Sequence, residues 1–227
     1  MFIPVYDLNP LRTIKFQYVT IGLIAANIAV FLLQMTGMPL DVIVSFAVIP
    51  SELMNVSGEM RTSSVWVPER LTPLTYMFFH GDIFHLATNM LFLWVFGDNV
   101  EDALGHLKFL FFYLACGVVG GLAHAMMMPM SNMPLIGASG AVAGVIAAYL
   151  MLHPKVRVWV LVFRFIPIRI TAAFALGAWI LTQFVMVLLP ETGPIAWWAH
   201  IGGLIAGAIL VVILKKPGVP LFDRGPA

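Results

Sequence analysis

Six long apolar stretches follow one another along the chain, separated by polar segments of unequal length. They lie at about residues 17–36, 83–97, 107–128, 138–153, 170–189 and 195–214. A helix that crosses a bilayer needs about 20 mostly apolar residues, so each stretch predicts one membrane-spanning helix. The second and fourth are short, and we expect their ends to be buried in protein or to reach a water-filled recess. The pattern predicts an all-α membrane protein, folded as a bundle of six transmembrane helices.

The polar segments divide the chain into three parts. Residues 1–16 are expected to form a cytoplasmic N-terminal segment, residues 17–214 the six-helix membrane domain, and residues 215–227 a short, disordered cytoplasmic tail. The first loop, 37–73, is longer than connections between packed helices usually are. It is therefore expected to carry structure of its own, with the apolar segment 42–48 along the outer membrane interface.

The composition is that of a membrane protein, and the net charge argues against binding to nucleic acid. The chain is 61% apolar and 10% charged, whereas a soluble domain is about 45–50% apolar and about 25% charged. The formal charge is only +1, so no broad basic field is available to bind nucleic acid. The single cysteine, Cys116, cannot form an internal disulfide and is expected to be a packing residue.

Basic residues predict the orientation in the membrane. If the N-terminus is inside, only Arg61 and Arg70 lie on the outer side. The inner set comprises Arg12, Lys15, Lys108, Lys155, Arg157, Arg164, Arg169, Lys215, Lys216 and Arg224. Because cytoplasmic loops are enriched in Lys and Arg, both termini are expected in the cytoplasm.

Four polar residues occur where lipid or apolar protein is expected. His85 and Asn89 are four residues apart at the start of the second stretch, on one helix face. Ser139 opens the fourth stretch, and His200 lies near the start of the sixth. With the predicted orientation all four lie at a similar depth in the outer half of the membrane. Because burying polar groups within a membrane costs free energy, such residues are candidates for a functional site. His80 does not share the face of His85 and is interpreted as structural.

Glycines follow both the serine and the histidine at helical spacing. They are Gly140 and Gly144 after Ser139, and Gly203 and Gly207 after His200. If the two helices pack through these small residues, His200 comes within hydrogen-bond reach of the Ser139 hydroxyl, as a base and a nucleophile must. Each feature alone is more often structural, since small residues pack helices and His85 and Asn89 can simply bond one helix to another.

Together these motifs resemble those of the rhomboid intramembrane serine proteases. The similar segments are Ile3-Pro4 with Asp7-x-Asn9-Pro10, His80-x4-His85-x3-Asn89 leading into Gly97-Asp98-Asn99-Val100-Glu101, Gly137-x-Ser139-Gly140, and Ala199-His200-x2-Gly203-x3-Gly207. They cover nearly the whole chain in the order that the family has them. Each motif is short, but their joint occurrence on six predicted helices is specific.

The resemblance implies a Ser139–His200 dyad that hydrolyses peptide bonds within the membrane. His85, Asn89 and the Ser139 N–H would stabilise the oxyanion, and Gly137 would support helix packing beside the glycines already named. The substrates implied are transmembrane segments of other proteins, which enter sideways from the lipid bilayer near the fifth helix. No metal and no cofactor are implied. A six-helix core with neither an added helix nor a targeting peptide is expected in a prokaryotic cell (inner) membrane, as a multi-pass protein.

The sequence departs from the family pattern at two positions. Many members carry a Trp-Arg pair in the first loop, where this chain has Arg70 without an adjacent tryptophan, and some carry a tyrosine where this chain has Ala143. Two other functions remain as alternatives. A non-catalytic rhomboid-like protein would bind membrane helices without cleaving them, and a small transporter would need polar residues through the whole membrane thickness.

Overall fold

A computed structural model describes four stretches of the chain, residues 2–56, 66–162, 165–189 and 195–223. In chain order, their strands and helices are β1 (Phe2–Asp7), α1 (Tyr18–Met35), α2 (Leu40–Phe46), α3 (Pro50–Leu53), α4 (Thr72–Thr75), α5 (Ile83–Leu104), α6 (His106–Met127), α7 (Ser139–Leu152), β2 (Arg157–Val162), β3 (Ile166–Thr171), α8 (Ala172–Val187) and α9 (Trp197–Leu214). Two short 3-10 helices, Glu69–Leu71 and Tyr76–Phe78, flank α4. The fold is mostly helical.

Each predicted apolar stretch contains one long helix. Of these helices, α1, α6 and α9 are long and apolar enough to cross a membrane, while α7 and α8 are shorter apolar helices of 14 and 16 residues. Helix α5 has 22 residues and extends beyond the predicted end at residue 97. Its residues Glu101 and Asp102 accept hydrogen bonds from the segment before α1 and from the start of α1 instead of ending the helix. It stops before Gly105, whose φ of +84° suits glycine. The apolar helices support a multi-pass membrane protein.

Helix α7 lies at the centre of the bundle. Most of its residues are buried, on every side of the helix, and it packs against α5, α6, α8 and α9. A helix that is apolar around its whole circumference belongs in the interior.

Glycines also allow α6 and α9 to approach closely, since a Cβ added at Gly202 would lie 2.5 Å from the Ala123 Cβ.

A small sheet corrects the prediction of an all-α fold. Strands β1, β2 and β3 form an antiparallel sheet in that order, with Val158 and Val160 of β2 fully buried. Strand β1 falls in the predicted N-terminal segment, and β3 precedes α8, which begins at Ala172 instead of residue 170. The strands have only six residues each and their pairing is interrupted between Pro4 and Tyr6. So short a pattern is hard to distinguish from the ends of helices or from loops.

The first loop carries structure of its own, as predicted. Its helices α2 and α3 are followed by residues 57–65, which lie outside the described stretches, and then by α4. The backbone of Val48 pairs with that of Leu135 in an isolated β-bridge. The Thr75 hydroxyl donates to the Phe46 carbonyl, and the Trp66 N–H donates to the Ser45 hydroxyl. One backbone bridge and two hydrogen bonds between hydroxyls and backbone groups therefore anchor the described part of the loop.

The tail is ordered as far as the structure describes it, contrary to the prediction. The N–H groups of Phe222 and Asp223 donate to the carbonyls of Met151 and Leu152 at the end of α7. Arg12 forms an ion pair with Asp223 at 2.9 Å. Three arginines of the charge count lie outside the described residues: Arg61, Arg164 and Arg224.

Candidate active site

Ser139 and His200 meet at the N-terminal ends of two neighbouring helices. Ser139 is the first residue of α7, and His200 lies in the first turn of α9. The Ser139 Oγ lies 2.9 Å from the Nε2 atom of His200, within hydrogen-bond range. The imidazole is buried and the serine is half-buried. A hydroxyl hydrogen-bonded to an imidazole is the arrangement of a nucleophile with its base.

Glycines on the two helices bring the serine to the histidine. A Cβ added at Gly203 would overlap the carbonyl oxygen of Gly140, and one added at Gly207 would overlap that of Gly144. Two helices come this close only where both lack side chains. Because these contacts follow Ser139 along α7 and His200 along α9, they fix the distance between the two side chains.

Gly137 makes room for His85 beside the serine. Its φ is +123°, a conformation that favours glycine. A Cβ at this position would lie 2.6 Å from both Cε1 and Nε2 of the His85 ring. The His85 ring therefore lies against the backbone two residues before Ser139. The α5 helix that carries His85 is capped by the Asp82 carboxylate, which accepts from the His85 N–H at 2.9 Å.

Asn89 lies one turn after His85 on the same helix. It is buried, and its Nδ2 donates one hydrogen bond to the His85 carbonyl at 2.9 Å. An amide nitrogen carries two hydrogens, and the second has no acceptor among the residues that the structure describes. The structure thus holds His85 and Asn89 on one face of α5, and α5 packs against α7.

His80 supports the backbone that leads into the serine. Its Nε2 accepts a hydrogen bond from the Ala138 N–H at 3.4 Å, and its ring meets His85 edge to face at 5.0 Å. Burial, followed by the like charge of His85, lowers the pKa of His80 to about 4. His80 is therefore neutral at pH 7 and able to accept this bond, which agrees with the structural role predicted for it.

The backbone N–H of Ser139 opens the first turn of α7. The first N–H groups of a helix have no intrahelical acceptor, and among the residues that the structure describes no acceptor takes the Ser139 N–H. The Gly137 N–H, by contrast, donates to the Tyr76 carbonyl at 3.0 Å. A free N–H at a helix N-terminus is suited to binding negative charge.

Gln183 is a polar neighbour of His200 that motif reasoning missed. Its Oε1 lies 2.7 Å from the Nδ1 atom of His200, and its Nε2 donates to the Trp179 carbonyl at 2.9 Å. The rings of Trp179 and Trp197 also flank the imidazole, with centroids 5.9 and 6.0 Å away. The sequence did contain one indication of this residue: Gln183 is a glutamine in an otherwise apolar span, where polar side chains tend to be functional.

A metal site is not evident around these histidines. Within residues 2–56, 66–162, 165–189 and 195–223, no three His, Cys, Asp or Glu side chains are grouped as metal ligands would be. The groups described above are a hydroxyl, three imidazoles, two side-chain amides and one backbone N–H without an acceptor among the described residues.

Comparison with known proteins bears on the family that the motifs resemble. The model of the rhomboid domain matches residues 68–217. The rhomboid protease GluP of Bacillus subtilis is 31% identical over 77% of this chain and 32% of its own length. The mitochondrial presenilin-associated rhomboid-like protein of Homo sapiens is 28% identical over 84% of this chain and 47% of its own.

A yeast relative extends the comparison. The mitochondrial rhomboid protein 1 of Saccharomyces cerevisiae is 28% identical over 66% of this chain and 44% of its own length. The chain thus spans less than half the length of each of these three relatives. The domain match covers α5 to α9, including Ser139 and His200. On these matches, the chain belongs to the rhomboid family.

Proposed function

We propose that this protein is an intramembrane serine endopeptidase that cleaves transmembrane segments of membrane proteins with a Ser139–His200 dyad. The observation that carries the proposal is the 2.9 Å contact between the Ser139 Oγ and the His200 Nε2. Membership of the rhomboid family and similarity to a relative named as a protease support it. Since a fold alone does not determine function, the proposal depends on this geometry.

The first half of the reaction forms an acyl-enzyme. The Ser139 Oγ attacks the carbonyl carbon of the substrate peptide bond while its proton passes to the His200 Nε2. The C–N bond of the tetrahedral intermediate then breaks, and the same Nε2 delivers the proton to the leaving amine. One serine ester and one free amine result.

The second half returns the enzyme to its starting state. A water molecule gives one proton to the His200 Nε2, and its oxygen attacks the ester carbon. The Ser139 oxygen leaves and recovers the proton from the imidazole, which releases a carboxylic acid. Water must therefore reach Ser139, and the position of this partly exposed residue at the N-terminal end of α7 is compatible with that requirement.

Three donors are proposed to stabilise the oxyanion of each intermediate. They are the free Ser139 N–H, the His85 ring and the second hydrogen of the Asn89 amide. Hydrogen bonds to the developing negative charge typically contribute about 10²–10³ in rate for each donor. The contact of the His85 ring with Gly137 supports its role, because it brings the ring next to the serine backbone.

The proposed topology has six spans with both termini in the cytoplasm. The distribution of Lys and Arg supports this orientation, which puts β1, β2 and β3 on the cytoplasmic side and the dyad near the outer surface. Some of the relatives named above are mitochondrial and one is bacterial. They do not favour a prokaryotic cell membrane over a mitochondrial one, so the prokaryotic location stays a prediction.

A cleavage assay tests the proposed activity. The protein, reconstituted in lipid vesicles, is mixed with single-span test proteins that carry a Gly-Pro pair in the outer half of the span. We expect cleavage by the wild type and none by Ser139→Ala. Replacing Gly-Pro with Leu-Leu is expected to slow cleavage, because the peptide bond must leave its helix before Ser139 can attack it, and Gly and Pro weaken a helix.

The same assay separates the protease from a binder of membrane helices. Co-purification of wild type and Ser139→Ala with the test proteins, without a cleavage product from either, would favour the non-catalytic alternative. Cleavage that is equal in wild type and Ser139→Ala would point to a contaminating protease and contradict the proposal.

A further inference from the structure

We infer that Gln183 is a positioning residue that holds His200 in the tautomer with its proton on Nδ1. This inference rests on the proposed function and identifies a third side chain that acts through the dyad. Gln183 lies in α8, whereas Ser139 and His200 lie in α7 and α9. Three separate helices would therefore contribute to one chain of hydrogen bonds.

The orientation of the Gln183 amide is determined by its neighbours. Its nitrogen lies 2.9 Å from the Trp179 carbonyl oxygen, which can only accept a hydrogen bond. The amide nitrogen must therefore face Trp179, and the amide oxygen must face His200. Only 2% of the Gln183 residue surface is exposed, so water does not compete readily for this oxygen.

The amide orientation in turn determines which nitrogen of His200 carries the proton. The Gln183 Oε1 lies 2.7 Å from the His200 Nδ1. Since an amide oxygen has no proton to give, Nδ1 must be the donor. A neutral imidazole has a single N–H, so its Nε2 is left with a lone pair directed at the Ser139 hydroxyl.

This arrangement prepares the imidazole for its role as base. In the other tautomer Nε2 would carry a proton and could not accept one from Ser139, while the lone pair of Nδ1 would face the Gln183 oxygen and be repelled. When Nε2 takes the serine proton, the Nδ1–H keeps its bond to Oε1 and the ring does not need to turn. Gln183 thus serves the reaction without touching the substrate.

A simpler role for Gln183 makes a different prediction. A buried glutamine can bond α8 to α9 for stability alone, and its loss would then lower the unfolding temperature without changing the tautomer of His200. The two roles are separable because reactivity, tautomer and stability are measured independently.

Labelling with a fluorophosphonate probe measures the reactivity of Ser139 in the purified protein. Gln183→Met removes the amide at similar side-chain length, whereas Gln183→Glu keeps an oxygen that can accept from Nδ1. Thr182→Val is the matched control, because Thr182 makes a bond of the same i−4 kind, to the Ala178 carbonyl, on the exposed side of α8.

We expect Gln183→Met to lower the maximal labelling rate about 10- to 100-fold, the range seen when the partner of a metal-binding histidine is removed. The half-saturating probe concentration is expected to stay within about twofold, since Gln183 does not contact the probe. Gln183→Glu is expected to recover most of the rate, and Thr182→Val to match the wild type.

Nitrogen NMR of protein labelled with ¹⁵N-histidine reads the tautomer directly. We expect the wild-type His200 signals, identified by their loss in His200→Gln, to show a protonated Nδ1 and an unprotonated Nε2. Gln183→Met is expected to shift the population towards protonated Nε2. The wild-type spectrum remains decisive even if Gln183→Met does not fold.

The outcomes distinguish this inference from the proposed function. A wild-type spectrum with the proton on Nε2, or a Gln183→Met protein that labels at the wild-type rate, would overturn the role of Gln183 and leave the dyad intact. A wild-type protein that the probe does not label at Ser139 would overturn the proposed function itself.

Discussion

Gly203 is the residue at which the two halves of the candidate site are brought together. A methyl group at this position would overlap the Gly140 carbonyl oxygen, and neither atom can move without shifting α7 or α9. Since Ser139 and His200 depend on the separation of these helices, a change at Gly203 acts on the hydrogen bond between them. A side chain at Gly203 is therefore expected to lower both the stability of the protein and the reactivity of Ser139.

We expect Gly203→Ala to destabilise the protein by about 1–3 kcal/mol, the usual range for overpacking a core, and to slow fluorophosphonate labelling. Gly22→Ala is the control, because a Cβ at Gly22 of α1 meets nothing within 4 Å. Thermal unfolding in detergent and the labelling rate are measured for both. A Gly203→Ala protein as stable and as reactive as Gly22→Ala would contradict the close contact of α7 with α9.

The low pKa of His80 predicts that the protein loses stability in acid. This pKa is about 4 in the folded protein, against about 6.5 for a free histidine, so acid protonates the unfolded chain first. The stability that a neutral His80 contributes is therefore present above pH 6.5 and is lost as the pH falls from 6.5 to 4. The two pKa values limit this loss to about 3 kcal/mol.

The variant His80→Gln tests that dependence, because its amide oxygen can still accept from the Ala138 N–H. We expect its unfolding temperature to fall less than that of the wild type between pH 7 and pH 4.5. Parallel decreases in the two proteins would show that His80 titrates normally in the fold.

Sequence motifs predicted the contact between Ser139 and His200 but not the full set of contacts around these two residues. Ser139 and His200 were identifiable because each stands beside glycines at helical spacing in an apolar stretch. Gln183 was not, since a lone polar residue in a span predicts only that it has a partner. That partner depends on how α8 packs against α9, which local periodicity does not encode.

At the scale of elements, the cytoplasmic end proposed for α5 organises the segment before α1. The Asp102 carboxylate accepts hydrogen bonds from the backbone N–H groups of Arg12, Thr13 and Ile14. Glu101, one residue earlier, accepts from the Thr20 N–H at the start of α1. These acids therefore serve as caps for neighbouring chain segments.

We expect Asp102→Asn to destabilise the protein by about 1–3 kcal/mol, because its amide group would face N–H donors that it cannot accept from. Asp98→Asn is a matched control one turn away, since the Asp98 carboxylate accepts from the N–H of its own neighbour, Asn99. Thermal unfolding of the two variants is compared. Equal destabilisation would contradict a special role for Asp102.

The same acids explain why the length of α5 was underestimated. Three acidic residues after residue 97 interrupt the apolar pattern, which predicted the end of a span, yet the helix continues to Leu104.

The small sheet was missed because the pattern of its central strand is short. The alternation of exposed and buried residues in β2 covers only Arg157 to Val160 before it fades, too short a run to identify a strand.

At the scale of the whole molecule, the proposed orientation places two exposed residues on opposite sides of the membrane. Trp66, in the first loop, is 65% exposed, and Phe165, next to β3, is 83% exposed. The single native cysteine, Cys116, is fully buried. Cysteines introduced at the two exposed positions can therefore report the sidedness of the chain separately.

We expect a membrane-impermeant maleimide to label Trp66→Cys in intact cells and Phe165→Cys only after the membrane is permeabilised. The wild type is expected to remain unlabelled under both conditions and serves as the control. The reverse pattern would place the dyad on the cytoplasmic side and contradict the proposed topology.

The central claim is that Ser139 is a nucleophile activated by His200, and covalent labelling of that serine tests it most directly. The detergent-purified protein is treated with a fluorophosphonate, digested, and searched by mass spectrometry for the modified peptide. We predict modification at Ser139 in the wild type and none in Ser139→Ala or His200→Ala. Equal labelling of the wild type and Ser139→Ala, or a wild-type Ser139 that stays unmodified, would contradict the account.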